Sequence, residues 1–273
     1  MKNIRELEAV ATKIRKNIIE MSYLCKRAAH PGPALSCADI VAALYFRFMD
    51  VDSENPLKFD RDRFILSKGH ASPVIYATLC EKGFFEKKEF NLLRHPGGIL
   101  QGHPTFGSTP GVDMTTGSLG NGLGIGLGMA YYLKLKNQKS KVYVILGDGE
   151  LNEGTVWEAI MYAPVKKLNN LIAFVDKNGF QSSGPCNDIL PQRCFLEQFR
   201  SFGWDAIEID GHNMNQIIDA IETANNSVDK PTVIIANTVK GKGVSFMEND
   251  NSWHQKILSE ELYEKALSEL SGV

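Results

Sequence analysis

The sequence has no apolar run long enough to cross a membrane. Its longest uncharged apolar segment, GLGIGLGMAYYL (122–133), is about half of the ~20 residues a span requires. The N-terminus, MKNIRELEAVATKIRK, is charged and amphipathic and lacks the apolar centre of a secretory signal. Cysteine is scarce: Cys25, Cys37, Cys80, Cys186 and Cys194 are odd in number, far apart and without a C-x-x-C pair. That usage speaks against a disulfide framework or a cysteine zinc site and fits reduced thiols. Neither sign of charge prevails, with 30 Lys and Arg against 32 Asp and Glu, so nothing in the balance points to nucleic acid or an anionic membrane. Linkers rich in Pro or Ser, repeats and low-complexity stretches are all missing. The expectation is a cytoplasmic protein with one domain over residues 1–273.

What is present is a core-forming composition, 43% hydrophobic and 23% charged. Ile4, Leu7, Val10, Ile14, Ile18 and Met21 recur at helical spacing. HPGP (30–33) predicts a stop, and SCADIVAALYFRFM predicts a new helix with Ser36 and Asp39 spaced as a capping box. Beyond it, apolar runs at 64–66, 142–146, 171–175, 206–209 and 232–236 alternate with helical patterns at 71–82, 118–136, 153–167, 196–202 and 214–226. Strands apolar on both faces and separated by helices predict an α/β fold, a mostly parallel sheet with helices on both faces. Ligands in such folds sit at the carboxyl ends of the strands. The glycine series Gly120, Gly122, Gly124, Gly126 and Gly128 does not match G-x-G-x-x-G. It reads as a helix packed closely through Gly120, Gly124 and Gly128.

Chemistry gathers at the strand ends. GDGELNEG (147–154) leaves a buried strand through Gly147, Asp148 and Gly149, and its loop feeds the N-terminus of a helix, where an anion is favoured. Alone, GDG is an ordinary turn. The next strand closes with FVDKNGF (174–180), and two parallel strands joined by one helix bring Asp148 and Asn178 together. An Asp carboxylate, an Asn carbonyl and a main-chain carbonyl form a hard oxygen site that suits Mg²⁺ completed by phosphate oxygens. Of the six histidines, His30, His70, His103 and His254 stand beside Gly or Pro or in irregular segments, whereas His95 and His212 read as structural. Imidazoles in such settings suit proton movement on sugar hydroxyls and carbonyls.

The strand, GDG, helix, strand and Asn in this order resemble the thiamine diphosphate enzymes. AHPGPALS, FILSKGHASP, QGHPT, PGVDMTTGSLGNGLGIGLG and VKGKGVSFMENDNSWH narrow the resemblance to the transketolase family, across essentially the whole chain. It implies the thiamin diphosphate-binding fold, with Asp148, Asn178 and the carbonyl of Phe180 holding Mg²⁺, and with Gly149, His70 and Lys240 facing the diphosphate. Gly117, Ser118 and Leu119 would line the aminopyrimidine, while His30, His103 and His254 would surround the reactive carbon and the substrate oxygens. Glu153 resembles an acid placed between paired active sites, although a solvated first-turn Glu fits equally; Lys68 would add positive charge near the phosphates, but reads by default as a surface lysine.

Pro33 and Gln255 depart from the family pattern. Whole transketolases continue into a further domain with the activating Glu and the arginines for the sugar phosphate. The resemblance therefore implies the N-terminal subunit of a split transketolase, partnered by a separate C-terminal chain, expected as a heterotetramer. Its activity would be transfer of a two-carbon ketol unit from a ketose phosphate to an aldose, in pentose phosphate metabolism or an apiose/apulose-type pathway. An α subunit of a 2-oxo acid dehydrogenase and a non-catalytic cofactor-binding scaffold are the alternatives.

Overall fold

The computed structural model describes residues 2–191 and 194–272. Helix α1 (Ile4–Leu24) opens on a capping box in which Asn3 accepts from the Glu6 N–H at 3.0 Å and Glu6 accepts from the Asn3 N–H at 2.7 Å. It buries the stripe of Leu7, Val10, Ile14, Ile18 and Met21 that its spacing predicts.

The segment that follows differs from expectation. Helix α1 does end before HPGP, at Leu24, but the next helix, α2 (Pro31–Leu35), starts inside HPGP and not after it, because proline at the first helical position lacks only an N–H that would have no partner there. The predicted capping box at Ser36 and Asp39 does not form. Helix α3 (Ala38–Ala43) starts after Cys37 without a side-chain cap and runs on into a wider π turn, Leu44–Phe48. Ser36 is fully buried and donates to the Pro33 carbonyl at 3.0 Å and to Asp176 Oδ2 at 2.6 Å. Asp39 accepts both guanidinium nitrogens of Arg15, at 3.0 and 2.5 Å, and lies 2.8 Å from His212 Nδ1. Partners distant in sequence prevail over the local cap at both positions.

The rest of the chain alternates as predicted: β1 (Arg63–Leu66), α4 (Ser72–Glu81), α5 (Asn121–Leu135), β2 (Val142–Gly147), α6 (Gly154–Val165) and β3 (Leu171–Lys177). A small hairpin, β4 (Phe180–Gln181) and β5 (Gly184–Pro185), leads into α7 (Cys186–Ile189). Then come α8 (Phe195–Ser201), β6 (Asp205–Asp210), α9 (Met214–Asn225), β7 (Thr232–Asn237) and α10 (Glu260–Ser271). The five long strands form one parallel sheet in the order β1-β2-β3-β7-β6.

Alternate residues of each strand feed opposite cores. Phe64, Tyr143, Ile145, Phe174 and Ile234 join the core that includes α1, α3, α4 and α9. Ile65, Val144, Leu146, Val175 and Ile235 join the one under α5, α6 and α8. Burial on both faces is why these strands read as continuous apolar runs. The register sets Gly147 beside Asp176 and Lys177 beside Asn237, so the carboxyl ends of β2, β3 and β7 share one rim.

Helix α5 packs through a different glycine stripe from the one expected. A Cβ on Gly122 would lie 2.2 Å from Ser67 Oγ, and one on Gly126 would lie 2.6 Å from Val144 Cγ2. Gly120 is indeed crowded, by Glu153 Cβ at 2.6 Å, but Gly124 and Gly128 have nothing within 4 Å. Glycines at every second position mark two faces of a helix equally, and the sheet took the other one. Among the described residues no helix is long and apolar enough to cross a membrane, and all five cysteines are free thiols.

Candidate active site

The loops leaving β2, β3 and β7, with α2 and the segment after β1, enclose a cavity of about 310 Å³. Asp148 and Asn178, distant in sequence, meet there. Asp148 is buried, and its carboxylate accepts from the Gly179 N–H at 2.6 Å and the Gly149 N–H at 2.9 Å. Burial pushes its pKa up to about 6, and the neighbouring Asp176 adds to the rise, which leaves a carboxylate that a cation would return to its ordinary range. Asn178 donates through Nδ2 to Asp176 Oδ2 at 2.9 Å, and its Oδ1 accepts from the Phe180 N–H at 3.1 Å. Asp176 thereby fixes which way the amide faces. An amide oxygen carries two lone pairs, so Oδ1 keeps one for a metal.

Lys68 is not the surface lysine that residue type alone implies. It is 2% exposed, and its Nζ donates to Asp176 Oδ2 at 2.5 Å and to the Pro33 carbonyl at 2.7 Å. Asp176, wholly buried, also accepts from Ser36 and from Thr238 Oγ1 at 2.5 Å. Burial would raise the Asp176 pKa, but Lys68 and the hydroxyls outweigh it and hold the carboxyl below its usual range.

Three of the predicted histidines meet. The His30, His70 and His254 rings lie 5.4, 5.5 and 5.1 Å apart in pairs. Burial, reinforced by nearby positive charge, lowers their pKa values to about 4, 2 and 3 respectively, so all are neutral at pH 7. His103 stands apart from this trio. It is exposed, with its ring 3.1 Å from where a Gly117 Cβ would be, and burial followed by Arg94 lowers its pKa. His212 accepts the Val239 N–H at 2.8 Å, and His95 bonds the Cys25 carbonyl at 2.9 Å, both away from the cavity.

Lys240 is 1% exposed, and its ammonium meets only neutral groups, Asn251 Oδ1 at 2.6 Å and His254 Nδ1 at 3.0 Å. No ion pair forms on it among the described residues. Burial and then Lys68 lower its pKa to about 8. Leu119 and Glu153 line the cavity, whereas Gly117, Ser118, His30 and His103 are not among its lining residues. Glu153 is exposed and makes no side-chain cap at the start of α6. Gly149 is required by Gln181, whose Cβ would lie 2.8 Å from an added Cβ.

Sequence reasoning passed over Glu150 and Gln181. Glu150 is 3% exposed and accepts from Ser67 Oγ, from the Gly120 N–H at 2.8 Å and from the Gly147 N–H at 3.1 Å. Gln181 Nε2 is buried in the cavity wall with no hydrogen-bond partner among the described residues. Acidity within GDGELNEG was the available signal for Glu150; nothing local marked Gln181.

These residues fit thiamine diphosphate. A buried ammonium and an amide donor that lack an ion-pair and a hydrogen-bond partner among the described residues, together with neutral imidazoles, suit an anionic phosphate ester. No group of three His, Cys, Asp or Glu side chains could hold a metal among the described residues, so a cation here would depend on Asp148, amide and carbonyl oxygens, and the ester itself.

The comparisons with known proteins point the same way. The sequence model described as "Transketolase, thiamine diphosphate binding domain" matches residues 10–270. The chain is 43% identical to the 6-deoxy-6-sulfo-D-fructose transketolase subunit SqwG of Clostridium sp. (strain MSTE9), covering 97% of this chain and 96% of that one. It belongs to the transketolase family. One subunit of the apulose-4-phosphate transketolase of Phocaeicola vulgatus is 40% identical over 98% of this chain and 95% of its own length. Human transketolase is 39% identical over 98% of this chain, which spans 42% of the human protein. Leishmania mexicana transketolase superimposes with a TM-score of 0.92 at 28% identity, over 99% of this chain and 42% of that one. The protein is thus a transferase of the transketolase type with the domain that binds thiamine diphosphate, which decides against a 2-oxo acid dehydrogenase subunit.

Proposed function

We propose that this chain is the N-terminal, diphosphate-binding subunit of a two-chain cytoplasmic transketolase. Residues 1–273 would form a single thiamine diphosphate-binding domain, completed by a separate C-terminal transketolase subunit in a heterotetramer. The observation that carries the reading is Lys240, a buried ammonium that forms no ion pair among the described residues, beside His70 and His254 and facing Asp148 and Asn178. Support for a separate partner comes from the Clostridium and Phocaeicola relatives, which are named as subunits and match this chain nearly end to end.

When bound, thiamine diphosphate supplies the nucleophilic carbon and the electron sink for cleaving the bond beside a ketose carbonyl. Asp148, Asn178 Oδ1 and the Phe180 carbonyl hold Mg²⁺, and Lys240, His70 and the Gly149 turn receive the diphosphate. Gly117, Ser118 and Leu119 line the aminopyrimidine side. His30, His103 and His254 hydrogen-bond sugar oxygens, each neutral imidazole offering one donor and one acceptor nitrogen to substrate hydroxyls and carbonyls. Glu153 lies toward a second active site. The reaction is transfer of a two-carbon ketol unit from a ketose phosphate to an aldose or aldose phosphate. The names of the two subunit relatives favour a specialised sugar of the sulfofructose or apulose kind over central pentose phosphates.

Titration calorimetry with thiamine diphosphate and Mg²⁺ tests this, on the chain alone and mixed with a C-terminal transketolase subunit. Binding that tightens in the mixture and vanishes in Asp148→Ala is expected, as is turnover of ketose phosphates. Turnover of 2-oxo acids alone, or cofactor binding without ketol transfer to any aldose, overturns the reading.

A further inference from the structure

Glu150 stands between Asp148 and Glu153 in the loop after β2, yet none of the proposed roles uses it. Its carboxylate joins three segments that carry the site. Oε1 accepts from Ser67 Oγ at the end of β1 and from the Gly120 N–H ahead of α5, while Oε2 accepts from the Gly147 N–H at the end of β2. The Gly120 N–H is one of the donors that a helix start leaves without an intrahelical partner. No side chain caps α5 locally, so this carboxylate, displaced to another element, takes that place. It also puts negative charge at the positive end of the α5 dipole.

Within the turn, Asn121 Nδ2 donates to the Ser118 carbonyl at 3.3 Å, and Gly117 and Gly120 pack against His103 and Glu153; Glu150 supplies the charged acceptor on its backbone. Gly117 and Gly120 have φ of 144° and 87°, conformations that glycine leaves readily, and Ser118 and Leu119 are exposed. On the N-terminal side the turn is tied by the Thr116 N–H to the Pro104 carbonyl at 3.1 Å. On the other side it is tied to the sheet by Glu150. The closeness of α5 to β1 at this point, where a Gly122 Cβ would strike Ser67, requires the same node.

We propose that Glu150 is a positioning residue that straps the Gly117–Gly120 turn to the ends of β1 and β2 and so sets the shape of the aminopyrimidine side of the cavity. The consequence for cofactor affinity rests on the proposed cofactor reading; the strap itself does not. Glutamine at 150 keeps the size but only one acceptor oxygen: in one orientation its NH₂ faces the Gly120 N–H, in the other the Gly147 N–H, and in both the Gly120 N–H loses its charged acceptor.

The test compares Glu150→Gln with Ser67→Ala, which removes one donor and leaves the carboxylate to Gly120 and Gly147. Amide hydrogen exchange is measured over 115–123 in the full-length chain without cofactor, and thiamine diphosphate affinity in the presence of Mg²⁺ and a C-terminal partner chain. In Glu150→Gln, exchange at Gly120 accelerates and cofactor affinity falls, each by roughly ten- to a hundredfold, the equivalent of one hydrogen bond to a charged acceptor. Amides in the middle of β3 keep their wild-type protection. Ser67→Ala shifts both readouts much less. Unchanged exchange at Gly120 overturns the strap, and so does acceleration spread evenly over the sheet, which marks general destabilisation. Faster exchange at Gly120 with wild-type cofactor affinity overturns its role in shaping the cavity. If the wild-type pair fails to bind the cofactor, the functional reading falls while the exchange result still decides the strap.

Discussion

Replacing Lys68 with methionine tests how the buried charges beneath the site are held. The substitution preserves most of the aliphatic stem and removes the ammonium, leaving Asp176, 0% exposed, without its only ion-pair partner among the described residues. The Ser36, Asn178 and Thr238 donors remain on that carboxylate, but the Pro33 carbonyl loses its lysine donor. Removing one member of a buried pair costs about 3–5 kcal/mol. For a chain of this size that is a fall in Tm of roughly 6–20 °C. Calorimetric melting of the metal-free chain reads it directly. With no cation beside it, burial outweighs the remaining hydrogen bonds from Ser36, Asn178 and Thr238 and raises the Asp176 pKa, so the folded variant holds a proton that the unfolded chain releases. Stability of the variant relative to wild type therefore declines as pH rises through the raised value, and the deficit at pH 8 exceeds that at pH 5. Adding Asp176→Asn to Lys68→Met removes the stranded charge and recovers part of the loss. A Tm within about 2 °C of wild type, or a deficit independent of pH, would refute the claim that Lys68 neutralises a carboxylate the fold has committed to burying.

Asp148→Ala should abolish Mg²⁺-dependent cofactor binding, read by calorimetry, and should remove from the metal-free chain the decline in stability that this raised carboxyl contributes as pH rises through about 6, read from melting curves across that range. His30, lowered to about 4 against an ordinary 6.5, binds its proton in the unfolded chain first, so its contribution is lost as pH falls from 6.5 to 4. Melting curves of His30→Gln should accordingly show a shallower acid loss than wild type across that window, by up to about 3 kcal/mol. Gly122→Ala should destabilise the chain through its clash with Ser67, whereas Gly124→Ala and Gly128→Ala, with open space at both positions, should stabilise the isolated chain by about 0.5–1 kcal/mol each. Equal melting shifts in the three variants would contradict the observed orientation of α5.

The sheet was legible because both faces of every strand are buried, and each predicted strand lies within two residues of the observed one at either end. The Asp148 and Asn178 pair was legible for the same reason. One parallel crossover fixes which strand ends are neighbours, so two local motifs become one place in space. The failures have the opposite character. Ser36 and Asp39 have the spacing of a helix cap, but their partners are Asp176 and Arg15, which no local pattern reveals. Lysine is seldom buried, and only the position of Asp176 on β3, two strands away from β1 in the sheet, explains why Lys68 is an exception. In the glycine helix the sequence offers two equivalent stripes, and Ser67 and Val144 on the sheet chose between them.

The same division runs through the site. Residues proposed to touch the cofactor announce themselves through unusual local settings: acids between glycines, histidines beside prolines, a lysine in VKGKG. The residues that support them, Lys68, Asp176 and Glu150, carry ordinary local context and act through contacts across the chain. A buried carboxylate is tolerated only when donors converge on it from several directions. Asp176 gathers them from the ends of β1 and β7 and from the loops after α2 and β3, and Glu150 from β1, β2 and the start of α5. Each therefore fixes the relative placement of elements that no single segment could align, and a substitution at either should disturb several predicted ligand contacts together while leaving every predicted ligand in place.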